Sequence, residues 1–280
     1  MISPDPFPDC TILYETFPTI SFNPTSSQGC CGTNSYVACN YTTNDNAQVR
    51  AIVISLDLSY NDISGPLPSA LGQLTGLNYL FLEANALTGS IPESFQALTG
   101  LQQLDLSQNM LTGRIPDIFN GLTSLNNLFI QQNSFTGPLP TSIGSLTNLA
   151  YFDASDNLLN GNIPSFLGNL KNIKSLHLDG NNFAGSIPTT LSQLTSATLV
   201  NLANNRLTGS IPTSLSQLSA VKTLDLSSNH LTGFIPPELS MLQNLVSLNA
   251  SANAFSGSIP VALGALGNLQ KMDLSHNLLS

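Results

Sequence analysis

Ten side chains stand out by type and position as groups able to bind or react: Tyr79, Phe81, Glu83, Asp105, Phe129, Gln131, Tyr151, Asp153, His177 and Asp179. Each lies two, four or six residues before an Asn, and these Asn recur every 24 residues. Aromatic rings rimmed by amides and carboxylates are the chemistry of a binding patch. Two catalytic patterns compete with that reading. His177 with Asp153, Asp179 and Ser155 has the composition of a triad, but no strained nucleophile turn or oxyanion hole accompanies it. Asp105 and Asp153, two strands apart, would stand about 9–10 Å from each other, near the separation of an inverting glycosidase pair. A flat, solvated sheet offers no means of raising one carboxyl's pKa, so no enzyme is expected, and no cofactor or metal. Asp57, Asp105, Asp225 and Asp273 belong to a recurring LDLS phrase, where solubility explains an acid. The binding expectation therefore rests on the departures Tyr79, Phe81, Phe129, Tyr151 and His177, clustered in the second to sixth repeats.

The elements that must position these groups are set by the repeat. Asn61, Asn85, Asn109, Asn133, Asn157, Asn181, Asn205, Asn229, Asn253 and Asn277 keep one register without a slip. The phrase L-x-x-L-x-L-x-x-N, clearest at residues 101–109, is that of a leucine-rich repeat, and periods of this length mean a solenoid. Leu104 and Leu106 alternate with polar neighbours, which predicts a short strand with inward Leu. Successive strands should pair in parallel about 4.8 Å apart. The ten Asn are predicted to form a ladder whose amides satisfy buried backbone groups that would otherwise cost roughly 1–3 kcal/mol each. Then L-x-G-x-I-P follows, as in residues 87–92, where Gly permits backbone angles barred to a Cβ and Pro fixes φ. Residues 93–100 should be a short helical or 3₁₀ turn with Phe95 and Leu98 inward. Ala154, Ala197 and Ala250 replace inward Leu, with Phe152 filling the space beside Ala154.

The LxGxIP half resembles the plant-type leucine-rich repeat of receptor-kinase and receptor-like-protein ectodomains and polygalacturonase-inhibiting proteins. The resemblance covers residues 53–280 without insertion. It extends to residues 1–52, because that class carries a cap with a Cys pair and a segment ending in another Cys, matched by Cys30-Cys31 and Tyr36-Val37-Ala38-Cys39. That cap usually has Trp near the Cys pair, and this chain has none. The resemblance implies an α/β solenoid: a right-handed superhelix with a parallel inner β-sheet, short 3₁₀ outer turns, a second small sheet at LxGxIP and a disulfide-bonded N-terminal cap.

All four Cys precede the array. Metal-ligand spacing is missing and the three His are distant, so a stapled cap in an oxidising compartment is expected. A vicinal Cys30–Cys31 bond would be strained, which leaves Cys10–Cys30 with Cys31–Cys39, taken first, or the crossed pairing. The apolar stretch Thr11–Phe22 could give one short helix before Pro18, and polar loops are expected to hold the Cys. The cap should cover the first coil's sticky edge. Charged residues are only 8%, 16 acidic against 7 basic, with formal net charge -9. Such a chain is a poor partner for nucleic acid or anionic membrane, where cationic contacts supply the affinity. Apolar content of 41% with strict periodicity argues against disorder. MISPDPFPDC lacks the basic start and apolar core of a signal peptide, and no apolar run is long enough to span a membrane. The chain stops three residues past the tenth Asn, without the polar cap that ends such arrays. A piece of something longer, or a last coil covered by a partner, is the expectation. Sequons occur at Asn40, expected in a loop, and at Asn249, on the inner sheet.

The leading functional reading is an extracellular or cell-surface module binding a peptide, protein or glycan on the inner sheet. One alternative is an inhibitor of a secreted cell-wall hydrolase. Another is a filament protein stacking on itself through its uncapped end. A Thr/Ser column three residues after each Asn (Ser64, Thr88, Thr112, Thr136, Thr208, Thr232, Ser256) could order water or ice, but the repeat's own L-T-G explains it.

Overall fold

The computed structural model describes residues 8–18, 20, 29–31, 36–43 and 49–280. Among them, the chain winds as a solenoid of coils, each carrying one inner strand and one short outer strand, with a 3₁₀ turn in coils 1 to 9. Coils are numbered here by their anchor Asn, coil 1 holding Asn61 and coil 10 Asn277. The strands form an inner sheet of eleven, all parallel from coil 1 onward, because each coil climbs onto its predecessor in the same direction. The LxGxIP segments build a second sheet of eight strands and a separate pair.

Periodicity translates directly into packing. Leu80 and Leu82, Leu104 and Leu106, and their equivalents through coil 9 are buried, as are Phe95 and Leu98 on the 3₁₀ side. The core is one continuous apolar column, extended by each coil rather than thickened. Each LxGxIP Gly has positive φ, for instance +79° at Gly137, which turns the chain without strain.

The ladder amides reach both ways along the column. Asn109 Nδ2 donates to Leu82 O of the preceding coil (2.9 Å) and to Leu106 O and Ser107 O of its own, while its Oδ1 accepts from Leu87 N (3.0 Å). Each coil is thereby tied to the one before it through backbone groups that no strand could satisfy.

The N-terminal segment begins with α1 (Pro8–Thr16), which starts three residues earlier than the apolar stretch suggested. Strand β1 (Val37–Thr43) pairs antiparallel with β2 (Val49–Asp57), the first inner strand, and shifts register between Ala38 and Cys39. Asp9 of α1 is buried and accepts a hydrogen bond from Val53 N (3.0 Å), which docks the helix beside that irregularity. Disulfides join Cys10–Cys30 and Cys31–Cys39. The expectation of a loop at Cys39 and Asn40 is corrected: both lie on β1, with Asn40 exposed, because the β2 edge offers unpaired backbone groups that this segment takes up. The polar stretches 21–28 and 32–35 and the start MISPDPF lie outside the described residues.

Candidate functional site

The inner strands of coils 2 to 6 are Tyr79–Phe81, Gln103–Asp105, Asn127–Phe129, Tyr151–Asp153 and Ser175–His177. They run in strict register, so Phe81, Asp105, Phe129, Asp153 and His177 make one row across the sheet. Tyr79, Gln103, Asn127, Tyr151 and Ser175 make a second row, and Glu83, Ser107, Gln131, Ser155 and Asp179 follow two residues after the first.

Side-chain bonding divides these coils into two kinds. In coils 1, 3 and 5 an Asp is followed two residues later by a Ser. Asp57, Asp105 and Asp153 each accept from the backbone N–H and the hydroxyl of that Ser, at 2.6–3.1 Å. These carboxylates brace their own turn. In coils 2, 4 and 6 the same two places hold Phe81/Glu83, Phe129/Gln131 and His177/Asp179. Their polar groups lack that Asp–Ser brace and lie half-buried on the face. The two kinds alternate, a 48-residue pattern written in the sequence but invisible while each repeat is read against a single consensus.

Three buried side-chain oxygens lack a hydrogen-bond partner among the described residues: Asn127 Oδ1, Gln131 Oε1 and Asp179 Oδ1. All three lie on this face. An unfilled acceptor out of water costs about 1–3 kcal/mol, and neighbouring atoms close each of these oxygens off from the surface. The rings are ordered as well. Tyr79 and Phe81 stack at 6.4 Å between centroids and 6° between planes, and the Tyr79 hydroxyl donates to Gln102 Oε1 (3.0 Å). Tyr79 and Tyr151 are exposed and Phe81 and Phe129 half-buried. Beside the sheet, a polar cleft of about 720 Å³ is lined by Tyr79, Gln103, Asn126, Asn127, Asn148 and Lys174 among others. Its amides were not among the expected site residues. Asn127, whose Nδ2 donates to Gln103 Oε1 (3.1 Å), belongs with them.

Two ionisable groups are displaced from their ordinary behaviour. Burial first, then the charge of Asp105 and a hydrogen bond with it, and lastly the charge of Asp57, push the Glu83 carboxyl up from 4.5 to about 7, against a hydrogen bond from Ser59. This corrects the expectation that the sheet cannot raise a carboxyl: Glu83 is half-buried and close to the Asp105 carboxylate of the next coil, itself only 9% exposed, so desolvation and like charge act together. The imidazole of His177 is held above its ordinary value by interaction with the Asp179 carboxylate. Burial opposes the rise, and the charges of Asp153 and Asp179 add to it. At 3.6 Å, Nδ1 and Asp179 Oδ1 form an ion-pair contact longer than a good hydrogen bond. The triad pattern does not assemble, since the Ser155 hydroxyl donates to Asp153 (2.6 Å).

The raised Glu83 value has a stability consequence. Folded Glu83 keeps its proton up to about 7 while an unfolded Glu releases it near 4.5, so the folded state binds more protons between these values. Stability then falls as pH rises through that window. Glu83→Gln should leave Tm unchanged at pH 4.5 and raise it above the unsubstituted protein at pH 8, by calorimetry. Parallel pH profiles for the two proteins would contradict the assignment.

The remaining outward residues do less. Asn249 takes the bracing place in coil 9, accepting from Ser251 while its Nδ2 donates to Asp225 (3.1 Å). From Thr112 onward the Thr/Ser column falls on the second sheet, where paired strands are staggered by two residues: Thr112 stands opposite Ser134, and Thr208 opposite Ser186 and His230.

Comparison with known proteins follows the same lines. Models described as leucine rich repeat match residues 53–111, 171–231 and 195–255, and a second leucine rich repeat model matches 148–170, together more than half of the chain. Comparison with curated protein sequences gives no match. Among solved structures, a plant ice-binding protein is 30% identical with a TM-score of 0.79, aligned over 97% of this chain and 86% of its own. The Arabidopsis receptor kinase HAESA ectodomain, in complex with an N-terminally extended IDA peptide hormone ligand, is 32% identical with a TM-score of 0.76, over 97% of this chain and 49% of its own. The plant peptide hormone receptor RGFR1, in complex with RGF2, is 38% identical with a TM-score of 0.77, over 78% of this chain and 35% of its own. The chain thus spans about a third to a half of these receptor chains. With the repeat, the Asn ladder, the paired sheets and these matches in agreement, the chain belongs to the leucine-rich repeat family, in its plant-type form.

Proposed function

We propose that this chain is an extracellular recognition module that takes a peptide or protein ligand across the inner face of coils 2 to 6. The observation that carries the reading is a row of half-buried or exposed rings on one face, in register with half-buried amide and carboxyl side chains. A ligand would cover the rings while meeting the polar groups around them. The two disulfides suit an oxidising compartment. Receptor ectodomains of the same repeat type, solved with peptide hormones, support the same choice of ligand class. The ice-binding relative draws attention to the Thr/Ser column instead. There the two-residue stagger and the interruptions at Asn160 and Ala184 break the flat threonine ladder that such a role would use, so the inner face is favoured.

The test is a screen of peptide and glycan arrays with the protein and with a Phe81→Ala/Phe129→Ala variant. A ligand that binds the former and loses about tenfold or more in affinity for the latter is expected, since central aromatic anchors dominate such interfaces. Ligands indifferent to both substitutions but sensitive to changes on coils 7 to 9 would move the site away from this face.

A further inference from the structure

The alternation of coil types sets a length. Parallel strands are spaced by about 4.8 Å, so the ring-and-acceptor units of coils 2, 4 and 6 recur every ~9.6 Å along the solenoid axis. Among the regular backbone forms of a peptide lying along that axis, one has a matching repeat. A polyproline II helix has three residues per turn at about 3.1 Å each, so it presents the same side every ~9.3 Å. A β-strand shows one face every ~6.7 Å, and its third residue points to the opposite side. Two turns of an α-helix span ~10.8 Å and fall out of step by ~2.4 Å over two intervals. The polyproline II mismatch over the same two intervals is ~0.6 Å.

Chemistry narrows the ligand further. Proline rings dock against aromatic side chains in grooves that recognise this helix, and Phe81 and Phe129 stand at the required interval. Two residues on, the half-buried side chains of Glu83, Gln131 and Asp179 bring carboxyl and amide oxygens to the same interval. Asp57, Asp105 and Asp153 make the face acidic, and no Lys or Arg occupies an outward strand position in coils 1 to 6.

We propose that the ligand of the inner face is a proline-rich segment in the polyproline II form with a Lys or Arg at every third position, lying across coils 2 to 6. The prolines rest on Phe81 and Phe129, and the cationic residues donate to the acceptors of Glu83, Gln131 and Asp179. The proposal rests on the inner-face reading above and specifies its ligand.

The experiment uses fluorescence anisotropy at about 0.15 M salt, where exposed charges are screened beyond ~8 Å. The probes are labelled (Lys-Pro-Pro)5, the equally charged but flexible (Lys-Gly-Ser)5, and (Glu-Pro-Pro)5. Expected is binding of the first about tenfold tighter than the second, and none of the third. Phe81→Ala/Phe129→Ala should weaken the first about tenfold. A register-shifted variant, Phe129→Asp with Asp153→Phe, keeps the composition but moves one ring by a single strand, and should weaken it as much. Glu83→Gln/Asp179→Asn, a near-isosteric change, should weaken it too and guards against misfolding of the ring variants, with circular dichroism checking each.

Equal binding of the two cationic probes, or indifference to the register shift, overturns the proposal in favour of unspecific charge or a plain apolar patch. If (Lys-Pro-Pro)5 fails while another peptide or a neutral oligosaccharide binds in a Phe81- and Phe129-dependent way, the polyproline II assignment is wrong and the inner-face reading survives. If no array ligand depends on these rings either, both fail.

Discussion

Asn157→Leu is expected to destabilise the array by about 2–4 kcal/mol, although it exchanges side chains of similar size. The amide of Asn157 is buried and donates to Ile130 O (3.0 Å), Ala154 O (3.3 Å) and Ser155 O (3.0 Å), while its Oδ1 accepts from Phe135 N (3.0 Å). Not all four partners are orphaned by its loss. Ala154 O also accepts from Asn181, and Ser155 O from Gln132 N. Ile130 O keeps only the longer bond from Asn133 (3.3 Å). Phe135 N donates to the lost Oδ1, so one donor is stranded and one carbonyl is weakened. Urea unfolding followed by circular dichroism measures the loss, and amide exchange should show the Phe135 N–H losing protection first. Asn160→Leu, an exposed position three residues on, should stay within about 0.5 kcal/mol. Asn61→Leu should cost less than half as much as Asn157→Leu, since the Asn61 amide donates to Ser59 O (2.7 Å) and reaches no earlier coil. A loss below about 1 kcal/mol at Asn157 would mean that the ladder is decoration rather than structure.

Phe152→Ala should cost about 3–5 kcal/mol, the range for emptying an aromatic site in a close-packed core. Phe152 occupies an inward position held by Leu in coils 1 to 4, and Ala154 holds the next one; both are buried, with exposures of 1% and 0%. The larger ring of Phe152 makes up part of the volume that Ala154 gives up, so the two sites should not be independent. Ala154→Leu alone is expected to overpack and cost about 1–3 kcal/mol. Phe152→Leu with Ala154→Leu restores the common pattern of the repeat and should recover most of the stability. A double-mutant cycle reads the coupling, expected at 1 kcal/mol or more in magnitude, about what touching core residues show. Strict additivity would mean that the two side chains fill separate spaces.

Particular residues show what was legible beforehand. The period of the Asn, the inward Leu and the LxGxIP turn were enough to specify strand, turn and stacking direction, because each depends on residues within a few positions of one another. Cys spacing alone leaves two pairings open, since connectivity depends on where α1 and β1 dock. Around Asn40 the local sequence reads as a loop because the unpaired edge of β2, which draws this segment into a strand, is nine or more residues further along. The backbone before the ladder gave no signal at all. The residue preceding most anchors has φ near +50° to +57° although it is variously Tyr60, Ala84, Gln132 or Asp156, types with no common preference for that region. Stacking imposes the conformation, and the side chain there merely tolerates it.

By itself, then, the sequence determined the solenoid and the identity of the inner-face row, since a 24-residue repeat leaves one way to bury Leu and satisfy the backbone. Only the tertiary structure decided what that row is chemically. Glu83 is pushed up to about 7 by burial and by Asp105, a residue 22 positions away in sequence. Asp105 is taken up by Ser107, while Gln131 and Asp179 keep unfilled oxygens. Desolvation, charge repulsion and spare hydrogen-bonding capacity are set by neighbours on adjacent coils about 4.8 Å away, and no local pattern along the chain records them.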